Sequence, residues 1–80
     1  MTLIPGKLYR NTALITLPVW SLNFRQTVSQ VKTGETVLCL VVYDPEVDGV
    51  VVTDAFVALT GTGCIGCMLN RNDLEEVECR

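Results

Sequence analysis

Short apolar stretches separated by polar turns run through the whole chain. No window of about eleven or more residues carries apolar side chains at the i, i+3, i+4 and i+7 spacing of an amphipathic helix. Valine and threonine are frequent instead, and their branched side chains favour pleated strands. The pattern therefore predicts an all-β protein with five short strands, at residues 7–10, 36–43, 50–59, 64–69 and 74–77.

Turn residues separate these strands. Pro5-Gly6 precedes the first strand, Thr33-Gly34-Glu35 precedes the second, and the segment 44–49 ends it. Residues 13–24 are expected to form irregular extended pieces interrupted at Pro18, which cannot donate a ladder hydrogen bond. Residues 25–33 are expected to be a polar lead into the Gly34 turn, and residues 70–73 a polar turn with at most a short 3-10 turn.

Length and composition point to association. The 80 residues form a single domain, 1–80, and a chain this short buries only about two-thirds of its extended surface. Yet 49% of the residues are hydrophobic and only 19% are charged, against a usual charged share of about 25%. The excess apolar surface predicts a subunit interface.

The charge distribution argues against nucleic acids and membrane surfaces as partners. The net charge is −3, and no two of the 6 basic residues are adjacent, so the clustered cations that bind phosphates are missing. The apolar stretch 13–20 contains Thr16 and Pro18, lacks a following cleavage site, and is shorter than the roughly 18 residues of a membrane helix. We therefore expect a cytoplasmic protein whose cysteines are reduced.

Two segments imitate ligand sites. Residues 61–66 match G-x-G-x-x-G, but the dinucleotide-binding form must open a helix, so glycines that serve a β-turn and close backbone packing are the better interpretation. Residues 44–49 resemble the start of a calcium loop, but Ala55 stands where a bidentate glutamate is required, and the flanking segments are strands. A solvated acidic hairpin is favoured there, and no cofactor is expected.

The 4 cysteines leave two interpretations open. A buried thiol in mid-strand acts as a core hydrophobe, which favours structural cysteines, and a redox Cys-x-x-Cys would need a helix N-terminus that a strand does not provide. A structural zinc site needs four ligands, and the chain has one Cys-x-x-Cys motif and no histidine. The alternative is therefore a small zinc-stabilised domain that uses Cys39, Cys64, Cys67 and Cys79.

Catalysis is not expected. A cysteine or serine nucleophile needs an adjacent general base, most often histidine, and the chain has none. The carboxylates Glu75, Glu76 and Glu78 near the C-terminus have the pattern of solvated surface charge. The sequence therefore predicts that the protein is not an enzyme and has no catalytic residues.

The order of turns and strands resembles an SH3-like barrel. The resemblance is carried by the opening strand 6–10, a long irregular second segment, the Thr33-Gly34-Glu35 turn, the wide hairpin at 44–49, the glycine-rich turn at 61–63 and the closing strand 74–77. It implies a five-stranded SH3-like barrel over nearly the whole chain. Proline-rich recognition is not implied, because Trp20, the single tryptophan, is misplaced for the aromatic groove.

A second likeness concerns the same opening strand and turn. The chain is similar to small uncharacterised proteins encoded by tailed phages of marine cyanobacteria, which share a Gly6-Lys7-Leu8-Tyr9-Arg10-like strand and a later Thr33-Gly34-Glu35-like turn. This likeness implies no activity.

The central strand is apolar on both of its faces. In SH3-like barrels the residues three and five positions after the turn glycine point inward, so the resemblance and alternation assign Val37, Cys39 and Val41 to the core. The other face would be polar if it were solvated. It carries Leu38, Leu40 and Val42 instead.

This second apolar face has to be covered. We hypothesise that Leu38, Leu40 and Val42 form a homo-oligomer interface, most simply in a two-fold dimer. Alternatively, the N-terminal segment with Trp20 and Phe24 covers the face within one chain. The sequence thus predicts a non-catalytic binding and assembly module that self-associates and contacts another protein.

Overall fold

The structure, a computed structural model, describes residues 3–43, 46–51, 55–69 and 71–77. The predicted all-β class is confirmed, and the turn at 71–73 is a short 3-10 helix. The strands are β1 Leu8–Asn11, β2 Leu17–Trp20, β3 Thr27–Val31, β4 Thr36–Tyr43, β5 Glu46–Val47, β6 Val50–Val51, β7 Ala55–Thr60, β8 Ile65–Met68 and β9 Leu74–Glu76.

Seven of these strands form one antiparallel sheet in the order β3-β2-β8-β7-β4-β1-β9. The expected closed five-stranded barrel is therefore wrong, because the described sheet is open, with β3 and β9 as its edges. Part of the reason lies in the polar segment 25–33, which contains β3 rather than a simple lead into a turn. An edge strand exposes much of its surface to water, so its polar sequence hides it from a search for apolar alternation.

Pro18 lies inside β2 and does not interrupt it. Pro18 pairs with Gln30 of β3, whereas β2 pairs with β8 only at Trp20. No partner on the β8 side therefore requires a backbone donor at position 18, which is the condition under which a strand accepts proline.

The predicted strand 50–59 covers β6 and most of β7, which belong to different sheets, and residues 52–54 lie outside the described residues. β5 and β6 form a separate two-stranded sheet, joined by Asp48 and Gly49 with φ values of 51° and 80°. Positive φ at both central residues is the signature of a type I′ hairpin turn. The carboxylate of Asp48 accepts hydrogen bonds of 2.7 and 3.3 Å from the guanidinium of Arg25, which joins this hairpin to the β2–β3 turn.

One side of the large sheet encloses a single core. Val31 of the β3 edge and Leu74 of the β9 edge belong to the same buried cluster, so the sheet curls around one interior. The largest of its fully buried side chains are Tyr9 and Phe56, at 1% and 0% exposed. The buried cluster fills the inner side of the sheet, and the other side of the central strands faces outward.

Candidate functional site

The two faces of β4 are set by a β-bulge. Val37 and Cys39 point inward and are 1% and 0% exposed. The pairing with β7 then shifts between Cys39 and Val41, so that Leu40 and Val41 together oppose Val57. A bulge inserts one residue into the alternation, and every later residue changes side.

The bulge corrects two of the sequence assignments. Val41 is 51% exposed, so its assignment to the core is wrong. Val42 pairs with Phe56 and packs against the core, so it does not share a face with Leu38. An assignment of faces by strict alternation along the sequence does not detect the extra residue of a β-bulge.

A row of four aliphatic side chains crosses the outward side of the sheet. Leu8 of β1 lies opposite Leu38 of β4, Leu38 lies opposite Leu59 of β7, and Leu59 lies opposite Ile65 of β8. Adjacent strands are about 4.8 Å apart, so the row spans about 14 Å. Its two ends remain open to water, since Leu8 is 36% and Ile65 is 53% exposed.

A second apolar row lies beside the first. It consists of the two bulge residues Leu40 and Val41 with Val57 opposite them. Val57 in turn lies opposite Cys67, which is 0% exposed. We define the outer face as the seven aliphatic residues of the two rows: Leu8, Leu38, Leu59, Ile65, Leu40, Val41 and Val57.

The outer face contains a shallow depression and a polar rim. The depression, of about 210 Å³, is lined by Leu8, Thr36, Leu38, Leu59, Thr60 and Gly61. Arg10 pairs with Thr36 two residues along from the Leu8–Leu38 pair, which places polar residues at the border of the face. An apolar centre with a polar rim is the ordinary anatomy of a protein–protein interface.

The N-terminal segment, considered above as a cover, reaches one end of the second row, where Cys67 is 0% exposed and its Sγ lies 4.0 Å from the Leu22 carbonyl oxygen. Leu3 is 2% exposed and packs in the interior cluster. Trp20 lies in β2 beside β8, where it pairs with Cys67. The exposure of Leu8 and Ile65 means that the described parts of the chain leave both ends of the first row uncovered.

The cysteines of the zinc alternative are distributed over both sides of the sheet. Cys39 lies in the interior cluster, whereas Cys67 occupies an outward position and places its Sγ 4.0 Å from the Leu22 carbonyl oxygen. Cys64 is half-buried just before β8, and Cys79 lies outside the described residues. Among the described residues, no three cysteine or acidic side chains come together as a possible metal group.

Burial raises the pKa of the Cys39 thiol, and the positive charge of Arg71 opposes this more weakly. A raised pKa in the folded state stabilises the fold below the ordinary thiol value of 9.0. That contribution is lost as the pH rises above this value and through the folded pKa, at up to about 1.4 kcal/mol per pH unit.

We expect the unfolding free energy of the wild type to fall more steeply with pH above the ordinary thiol value than that of Cys39→Ala. Urea titrations of both proteins at each pH measure the two slopes. The alanine variant starts from a lower stability at pH 7, because it leaves a cavity. Parallel slopes for the two proteins would show that the pKa of the Cys39 thiol is not raised in the folded state.

The two segments that imitate ligand sites form turns. Residues 61–64 join β7 to β8, with Gly63 at a φ of 88°, and residues 65–68 are a strand and not the start of a helix. Gly66 lies where β2 closely approaches β8. In the second segment, Asp48 and Gly49 form the hairpin turn, while Asp44 and Pro45 lie outside the described residues.

Sequence reasoning missed three residues that complete the first row: Leu8, Leu59 and Ile65. Each lies on a predicted strand, so the strands themselves were available. The missing information was the register between strands. It brings Leu38 into one row with Leu8, Leu59 and Ile65, which lie 30, 21 and 27 positions away from it in the chain. Glycine turns fix hairpin ends, but no local signal fixes the non-adjacent pairing of β1 with β4.

Comparison of the chain with protein-family models, curated proteins and solved structures gives no match in any of the three. Within the described ranges, no helix has the length and apolar character needed to cross a membrane. Function is therefore inferred from the geometry of the outer face.

Proposed function

We propose that the protein is a non-catalytic assembly module that self-associates through its outer face and presents the resulting dimer to another protein. The observation that carries this proposal is the uninterrupted apolar row from Leu8 to Ile65, with the second row of Leu40, Val41 and Val57 beside it. A sheet with one solvated face alternates apolar and polar residues, and a sheet with two apolar faces requires a layer on each.

A second copy is the occupant that matches this face best. The outer face is broad, contains no charged residue among its seven members, and is formed by four adjacent strands. Two such sheets pack face to face at a separation of about 10 Å, with side chains interdigitating as in a β-sandwich. A two-fold axis makes one patch complementary to itself, so no second surface has to be assumed.

Burying the exposed parts of the outer face favours association. Fully burying an aliphatic side chain contributes about 1.5–3 kcal/mol. Leu8, Val41 and Ile65 are 36%, 51% and 53% exposed, so burying the remainder contributes roughly 2–4 kcal/mol per protomer. Both protomers contribute, and the four half-buried residues add to the total, against an association cost of about 4 kcal/mol or more.

The oligomeric state tests the proposal. We expect sedimentation of the wild type between about 1 and 500 µM to show a monomer–dimer equilibrium, and Ile65→Glu to remain monomeric across that range, because burying an unpaired carboxylate is costly. Ile65 is exposed in the monomer, so the charge is solvated there and the fold is retained, which circular dichroism checks.

Val50→Glu is the matched control. Val50 is 65% exposed, lies in the separate β5–β6 sheet and is not among the seven residues of the outer face, so this variant should dimerise like the wild type. A wild type that is monomeric over the whole range would refute the proposal. So would an Ile65→Glu variant that dimerises as strongly as Val50→Glu.

A further inference from the structure

The β1–β2 loop exposes two large aliphatic side chains. Leu14 is 97% exposed and Ile15 is 64% exposed, and they are adjacent at the tip of the loop. Leu14 has the highest exposure of any large hydrophobic residue in the described ranges. A single exposed aliphatic residue is ordinary, but two adjacent ones on a fixed loop form a projection that a partner can recognise.

The backbone of this loop is held in place from three directions. The Asn11 side chain donates to the Ile15 carbonyl oxygen at 3.0 Å and accepts from the Ala13 amide at 2.8 Å. The hydroxyl of Thr33 donates to the Ala13 carbonyl oxygen at 2.6 Å, and the Thr12 amide donates to the Asp73 carbonyl oxygen at 2.9 Å. A loop that is fixed in advance loses little conformational entropy on binding.

A recess that matches this projection is present on the same chain. The depression on the outer face has a volume of about 210 Å³ and a largely aliphatic lining from Leu8, Leu38 and Leu59. This aliphatic lining is chemically suited to the apolar side chains of Leu14 and Ile15.

The projection and the depression lie at the same end of the sheet. The Asn11 amide donates to the Glu35 carbonyl oxygen at 2.9 Å, and the next residue, Thr36, lines the depression. Leu14 is almost fully exposed, so it does not occupy the depression of its own chain. A two-fold axis near this end can place each loop in the depression of the other copy.

We propose that Leu14 and Ile15 of each protomer insert into the outer-face depression of a second copy, in a reciprocal exchange about a two-fold axis. This inference rests on the proposed function, since the depression belongs to the outer face. It adds a specificity element, because a flat aliphatic face alone does not define how the two sheets are oriented. The exchange also closes the assembly at two copies, whereas a one-way contact would continue into a filament.

A pair of charge variants tests the exchange. Leu14→Lys removes the projection, and Leu8→Glu places a carboxylate in the depression, at positions 97% and 36% exposed in the monomer. Each variant alone is expected to dimerise at least about 100-fold more weakly than the wild type, because two leucine contacts are lost per dimer. In an equimolar mixture, the Leu14→Lys loop meets the Leu8→Glu depression, and the other contact of the heterodimer is native.

We therefore expect the mixture to form dimers at a concentration where neither variant does so alone, as measured by sedimentation with one variant labelled. The rescue should weaken at high salt, since it includes a charge pair. If Leu14→Lys dimerises like the wild type while Ile65→Glu does not, the exchange is refuted and the outer-face dimer stands. If both variants are monomeric and the mixture stays monomeric, the specific pairing is refuted. A monomeric wild type would refute both proposals.

Discussion

Replacing Gly66 with alanine is expected to destabilise the fold by at least about 3 kcal/mol. A Cβ added at Gly66 would lie 2.6 Å from Cγ1 of Val19 and closer still to the carbonyl oxygen of Trp20. Both neighbours belong to β2, and one of the atoms is backbone, so β2 would have to move away from β8. Overpacking a core costs about 1–3 kcal/mol where side chains can adjust, and more where the backbone must shift.

This loss is large for a chain of 80 residues. At about 0.05–0.15 kcal/mol per residue, the whole folding free energy is about 4–12 kcal/mol. The midpoint of thermal unfolding should therefore fall by about 12 °C or more, at about 4–8 °C per kcal/mol. Calorimetry of the variant would show either this shift or the loss of a cooperative transition.

Gly61→Ala is the matched control. Gly61 lies in the same glycine-rich segment, but a Cβ there meets no atom within 4 Å, and its backbone is outside the left-handed region. We expect its stability to stay within about 0.5 kcal/mol of the wild type. Equal losses in the two variants would mean that close packing of β2 against β8 is not what position 66 requires.

The glycines show what local sequence reasoning can reach. The sequence favours a turn and close packing for 61–66, because no helix signal follows Gly66. The structure divides these two tasks between residues, since Gly63 has the positive φ and Gly66 has the close neighbours. The sequence alone could not assign the tasks, because the close approach depends on β2, more than 40 positions away in the chain.

The interior of β4 was predictable only up to the bulge. Val37 and Cys39 follow from counting two residues at a time from the Gly34 turn, and the structure places both inside. The count fails at Val41, since a bulge depends on how β4 must bend to follow β7. In a run of leucines and valines, no polar residue marks the point where the alternation changes side.

The sequence alone also could not show that the sheet is open and not a closed barrel. Turn positions and strand lengths predicted most of β1, β4, β8 and β9, but closure is decided by whether the edge strands meet. The β3 strand is too polar to be recognised as a strand, and it forms one of the two edges. Asn11, the polar residue that joins β1 to the edge strand β3, has no local sequence signature at all.

Replacing Asn11 with aspartate is expected to destabilise the protein by about 3–5 kcal/mol at pH 7. Asn11 is 1% exposed, and its Nδ2 donates to the carbonyl oxygens of Val31 and Ile15 at 2.9 and 3.0 Å. A carboxylate cannot donate, so two carbonyl oxygens lose their partner and face a buried negative charge. The Val31 bond is the side-chain link between β1 and β3, so its loss weakens the curl of the sheet.

The pH dependence of the loss distinguishes this mechanism from a simple loss of packing. Burial and two facing carbonyl oxygens raise the pKa of the introduced carboxyl above its unfolded value of about 3.9. A raised pKa means that the stability is retained below the unfolded value and lost as the pH rises through the folded value. The deficit relative to wild type should therefore shrink toward pH 4, where the protonated acid donates one hydrogen bond again.

Asn23→Asp provides the control for charge and shape. Asn23 is exposed, and its Oδ1 accepts from the Ser21 hydroxyl at 2.6 Å and from the Arg25 amide at 3.0 Å, which a carboxylate can also do. Urea denaturation at pH 4 and pH 7 should show little change for this variant and a pH-dependent deficit for Asn11→Asp. A deficit that is the same at both pH values would show that Asn11 acts through its shape, and not through the two hydrogen bonds that join β1 to β3 and fix the Leu14 loop.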